Sequence, residues 1–130
     1  METPRPILIK LDNSYYLRDR WRDRLVEAGF QVIRARDFQD GLRLARRLHP
    51  ELIFIVDDQR RGIDAIEWIE LQHADQDGIL AVTPLLILAG RKAAEEVRLQ
   101  ELPDRVRLLA RPVDAAQVVT TIREMITRWR

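Results

Sequence analysis

The sequence predicts an α/β domain with helices packed on both faces of a single parallel sheet of five strands. Three observations carry that prediction. Apolar runs of strand length alternate with segments of helical period five times along the chain, as parallel βαβ units require. The run Leu52-Ile53-Phe54-Ile55-Val56 contains no polar residue, which suits a central strand covered on both sides. The length, 130 residues, fits one core, so a single domain over 1–130 is expected, with its core between 7 and 129.

The elements follow in order. Ile7-Leu8-Ile9-Lys10-Leu11 is the first strand. Residues 14–28 place Leu17, Trp21, Leu25 and Ala28 on one helical face, and Gly29 ends that helix. Gln31-Val32-Ile33-Arg34-Ala35 is the second strand. Asp37 then caps a helix whose inner face is Phe38, Leu42, Ala45 and Leu48, stopped by Pro50. After the third strand, a loop of residues 57–62 leads to a helix through Ile66 and Ile69, followed by a loose polar loop over 73–78. Leu85-Leu86-Ile87-Leu88 is the fourth strand, residues 93–101 a short fourth helix ahead of Pro103, and Val106-Arg107-Leu108-Leu109 the fifth strand. The last helix runs over 114–129, with Asp114 and Gln117 at capping-box spacing. Trp68 and Trp129 are expected at core edges, and His49 and His73 in loops without catalytic or ligand duty.

Composition removes several functional classes. Apolar residues are 46% and charged residues 33% of the chain, which is globular composition, and no apolar run reaches the roughly 20 residues of a membrane span. The absence of cysteine excludes disulfides and thiolate metal sites, and fits a cytoplasmic setting. With 22 basic and 21 acidic residues, no net field attracts nucleic acid or an anionic membrane, and neither is expected as a partner. The arginines of 18–24 alternate with Asp19 and Asp23 as a salt-bridged surface does.

In a doubly wound sheet of the flavodoxin-like order 2-1-3-4-5, ligands sit beyond the carboxyl ends of the strands. The residues there are Asp12-Asn13, Arg36-Asp37, Asp57-Asp58, Ala89-Gly90 and Ala110-Arg111-Pro112. Asp12 and Asp57 follow neighbouring strands and should face one pocket. Such oxygen ligands suit Mg²⁺, and an Asp beside that ion can be a nucleophile toward a phosphoryl donor.

From Ile7 to about Arg128 the chain resembles the receiver domain of two-component response regulators. Asp12-Asn13 stands at the family's acidic pair, and Asp57 at its phosphoacceptor, with Gly62 and Asp64 in the loop that follows. Asp58 is the rival acceptor, but only Asp57 keeps that register. Arg111-Pro112 stands at the family's Lys-Pro, and Ala89 at its Ser or Thr. The resemblance implies a phosphoryl group on Asp57, donated by a histidine kinase or phosphotransfer protein. It implies Mg²⁺ held by Asp12, Asn13, Asp57 and the backbone carbonyl of Gln59. Output would pass through a protein–protein surface made by the fourth helix, fifth strand and last helix.

The departures bear on that chemistry. Asn13 removes one negative charge from the metal site, weakening Mg²⁺ binding. Ala89 has no hydroxyl for a phosphoryl oxygen, and Arg111 offers a planar fork in place of a compact ammonium. Leu108 occupies the usual aromatic position, Arg61 that of a loop proline, and Ala65 that of a frequent glycine. An ion pair of Arg111 with Asp12 and Asp57 is the expected arrangement, since facing carboxylates need a cation. A phosphorylation-independent receiver-like module, binding a partner or itself, is therefore the alternative. A freestanding enzyme is not expected. The segment Asn13-Ser14-Tyr15-Tyr16-Leu17 lacks the glycine of a flavin phosphate loop, and Gln59 stands where a phosphohydrolase would place its second Asp.

Overall fold

The computed structural model describes residues 5–11, 20–57 and 64–129 of the chain. Their element order is β1 (Ile7–Leu11), α1 (Arg20–Glu27), β2 (Gln31–Ala35), α2 (Phe38–Leu48), β3 (Leu52–Asp57), α3 (Ala65–His73), α4 (Gly78–Val82), β4 (Leu85–Ala89), α5 (Arg91–Arg98), β5 (Val106–Ala110) and α6 (Ala115–Trp129). All strand pairs are parallel, and the sheet order is β2-β1-β3-β4-β5, as expected from the sequence.

Strand alternation divides the core in two. Ile53, Ile55, Ile87 and Ala89 point toward α2, α3, α4 and α5, where Trp68, Leu80 and Val97 complete one buried cluster. Leu52, Phe54, Leu86 and Leu88 point the other way, against Leu25 of α1 and Val118, Ile122 and Met125 of α6. Each fully buried aliphatic side chain of this kind contributes about 1.5–3 kcal/mol. Trp21 meets Phe54 edge-on, with centroids 6.1 Å apart.

The helix ends follow the sequence signals. Gly29 closes α1 at φ +100°, a conformation costly for any other residue, and its N–H bonds the Val26 carbonyl at 3.0 Å. Asp37 caps α2 through the Asp40 N–H at 2.8 Å. Asp114 and Gln117 form a reciprocal box ahead of α6, with bonds of 2.9 and 2.8 Å.

Four expectations are corrected. The polar segment after α3 is not wholly loop, because 78–82 form a fourth helix capped by Asp77, whose carboxylate accepts from the Ile79 and Leu80 N–H groups. His73 is the last residue of α3 rather than a loop residue. The helix after β4 begins at Arg91 and ends at Arg98, shifted from 93–101, since Gly90 turns the chain directly out of β4. Trp68 lies at the centre of the core, fully buried, because Gly41 leaves room for its ring.

Two contacts clamp α2 to the α3–α4 connection. Arg46 grips Asp75 with its Nε and Nη2 atoms, and His49, the C-cap of α2, pairs with Asp77 at 2.9 Å. The Arg46 guanidinium holds the Asp75 carboxyl below the usual carboxylate range, and His49 does the same for Asp77.

Candidate functional site

Register brings three of the sequence-predicted positions to one rim of the sheet. Asp57, Ala89 and Ala110 lie side by side at the ends of β3, β4 and β5. Arg111 follows, its N–H donating to the Ala89 carbonyl at 2.9 Å. On the other side of β3, β1 ends at Leu11, which pairs with Ile55. Asp12, Asn13, Asp58, Gln59, Arg61 and Gly62 lie outside the described residues.

Asp57 is 4% exposed, and burial of a carboxylate is costly unless hydrogen bonds replace its water. Part of that replacement comes from α3. Its first N–H, at Ala65, donates to Asp57 Oδ2 at 3.2 Å, while Asp64 accepts from Ile66 and Glu67 at 2.9 and 3.3 Å. Two carboxylates therefore share the positive end of one helix, where the unpaired N–H groups of the first turn point. The strand holds the Asp57 backbone and the helix holds one of its oxygens, so the carboxylate has a fixed direction.

Ala89 is fully buried beside Asp57 and offers only a methyl group. The Arg111 side chain is exposed, and the expected ion pair with Asp57 does not form. The bond from Arg111 to this rim is made by its backbone, and the Arg111–Pro112 peptide is cis. Leu108 is partly buried and packs on the α2–α5 side of the sheet. Gly90 opens α5 without a side-chain cap, and Arg91 and Lys92 occupy its first turn. Cations at that end oppose the helix dipole, an arrangement that an anion at the rim would relieve.

Lys10 was not singled out by sequence reasoning. It is fully buried on the α1/α6 side of β1, in one row with Arg34 of β2 and Phe54 of β3, two positions before Asp12. The signal was visible: a lysine inside the run Ile7-Leu8-Ile9-Lys10-Leu11, where a strand flanked on both sides must bury it. Among the described residues, no three Asp, Glu or His side chains gather as a metal-binding cluster.

No family model matches the chain. The polar-differentiation response regulator DivK of Brucella anthropi is 23% identical over 126 residues, covering 95% of this chain and 97% of that protein. A response regulator from Desulfuromonas acetoxidans superposes with a TM-score of 0.73 at 20% identity, over 95% of this chain and 98% of its own. The signal receiver domain of a signal transduction histidine kinase from Syntrophus aciditrophicus gives 0.75 at 16% identity, over 96% and 92%. A chemotaxis response regulator of Vibrio cholerae gives 0.68 at 17%, over 94% and 99%. Strand order, the register that sets Asp57 beside Ala89 and Ala110, and likeness along nearly the whole length show that the chain has the fold of response-regulator receiver domains.

Proposed function

We propose that this domain accepts a phosphoryl group on Asp57 from a phosphohistidine of a kinase or phosphotransfer protein, and signals by altering a protein-binding surface. The observation that carries the reading is the Asp57 carboxylate itself, buried at the end of β3 and aimed by the Ala65 N–H. In the transfer, a carboxylate oxygen attacks phosphorus. A P–O bond forms as the P–N bond breaks, and the electron pair returns to the imidazole nitrogen. The first turn of α3 points at Asp57, and the Arg111 backbone bonds the carbonyl of neighbouring Ala89, at the rim where the new charge would arise.

Asp57, Asp12, Asn13 and the Gln59 carbonyl are hard oxygen donors of the kind Mg²⁺ takes, and they would hold it here. The ion would supply charge neutralisation for the phosphoryl oxygens. The work of this chain's own residues is to fix the nucleophile and exclude water around it. The reading is of a signalling module with a cytoplasmic kinase as donor, not of a freestanding enzyme.

Two observations favour a second reading. Ala89 supplies no hydroxyl to capture the phosphoryl group, and the Arg111 side chain is exposed rather than turned onto Asp57. A phosphorylation-independent binding module with the same fold accounts for both. Intact mass after incubation with Mg²⁺ and acetyl phosphate separates the two. Gain of one phosphoryl group by the parent, and none by Asp57→Asn, supports the acceptor; an unchanged parent mass leaves the binding module.

A further inference from the structure

The resemblance to receivers implies readout through a hydroxyl at position 89 and an aromatic ring at position 108, and this chain has Ala89 and Leu108 there. Helix α3, by contrast, is tied at both ends. At its start the Ala65 N–H reaches Asp57. One turn on, Trp68 is fully buried against Phe38, centroids 5.7 Å apart, and donates its indole N–H to Gln72 Oε1 at 2.9 Å. The Gln72 amide, also buried, donates to the Leu80 and Thr83 carbonyls, both at 2.9 Å, and the Thr83 hydroxyl donates to the Ile79 carbonyl at 2.8 Å. These bonds fasten α4 to α3 near the amino end of β4, the end of the sheet opposite Asp57. There α4 turns Ile79 and Val82 to solvent, 56% and 63% exposed.

We propose that α3 carries the state of Asp57 to α4, so that residues 78–83 are the segment whose order changes on phosphorylation. This rests on the reading of Asp57 as the phosphoacceptor. The physical ground is that a nine-residue helix, roughly 13 Å long, packed around a buried Trp moves as a unit. Its amino end faces Asp57, where phosphorylation raises the negative charge from −1 to about −2 and tightens the attraction. Five residues cannot sustain a helix alone, so the order of α4 depends on the groups that hold it: Gln72 from α3, and Asp77 with its partner His49 from α2. The α2 clamp stays fixed while α3 responds.

The test is hydrogen–deuterium exchange on the intact domain, with phosphorylation of the same samples read by mass. Parent, Asp57→Ala, Asp57→Asn and Gln72→Met are compared with and without Mg²⁺ and acetyl phosphate. In the phosphorylated parent, exchange of 78–83 slows about threefold relative to β4, and in Asp57→Ala it quickens by a similar factor. Asp57→Asn keeps an oxygen for the Ala65 N–H but loses the charge, so its rate falls between those of the parent and Asp57→Ala, whereas Gln72→Met uncouples 78–83 from position 57. A phosphorylated parent with unchanged 78–83 overturns the proposal, as does Asp57→Ala exchanging there like the parent. A parent that takes no phosphoryl group, while Asp57→Ala still quickens 78–83, overturns the acceptor reading and leaves the α3–α4 connection standing.

Discussion

Replacing Gln72 by Met tests the energetic weight of the buried polar chain beneath α3. Met nearly matches Gln in volume, so the perturbation is the loss of three hydrogen bonds rather than a cavity. The Trp68 indole N–H bonds only Gln72, and would be left buried without an acceptor. The two carbonyls fare better. Leu80 still receives the Thr83 N–H at 3.1 Å, and Thr83 keeps the long bond from Arg105 Nη1 at 3.4 Å. An orphaned buried donor costs about 1–3 kcal/mol and each bond lost at a partly satisfied carbonyl about 0.5–1 kcal/mol, so the expected loss is about 3 kcal/mol. Urea unfolding of parent, Gln72→Met, Trp68→Phe and the double variant gives the coupling directly. Phe removes the indole N–H, so the second substitution should cost about 1–2 kcal/mol less in the presence of the first. A Gln72→Met loss below about 1 kcal/mol, or a coupling near zero, would refute the assignment of this chain as a structural tie.

Three further outcomes follow from the same contacts. Gly41→Ala should destabilise by about 1 kcal/mol in thermal unfolding, because a Cβ there would meet Leu11 Cδ2 at 2.9 Å and the Trp68 ring at 3.2 Å, and the overpacking outweighs the helix-propensity gain. Arg105→Met should be neutral or stabilising by about 1–2 kcal/mol in urea, since Arg105 is 5% exposed, its Nη2 is buried without an acceptor among the described residues, and burial lowers its pKa. The Asp75 carboxyl is depressed in the folded state, so its contribution is complete above the unfolded value of about 3.9 and is lost as pH falls through the lower folded value. The stability gap between parent and Asp75→Asn should therefore hold from neutral pH to about 5 and close in acid, as followed by urea titration at each pH.

The sheet was legible because its signals are local. Uninterrupted runs such as Leu52–Val56 have one physical solution, and Asp37, Gly29 and the Asp114–Gln117 pair mark helix ends through bonds that span at most four residues. α4 escaped because five residues carry too little periodicity, although Asp77 ahead of Gly78-Ile79-Leu80 was a usable cap signal. The depth of Trp68 was hidden because it depends on Gly41, 27 positions earlier, which no local window connects to it. At the site, Asp57 and Ala89 could be placed together from strand order alone. The side chain of Arg111 could not, because a long flexible cation after a strand can turn either way, and charge balance favours an ion pair without fixing its geometry.

The burial of Lys10 has a practical consequence. The chain contains only two lysines, and the other, Lys92, is exposed in the first turn of α5. Of the two lysine side chains, an amine-directed fluorophore would therefore reach only Lys92, three residues after the alanine that flanks Asp57. Arrival of an anion at that rim would change the field around a dye on Lys92, so one lysine side chain offers an optical test of whether the rim takes up negative charge.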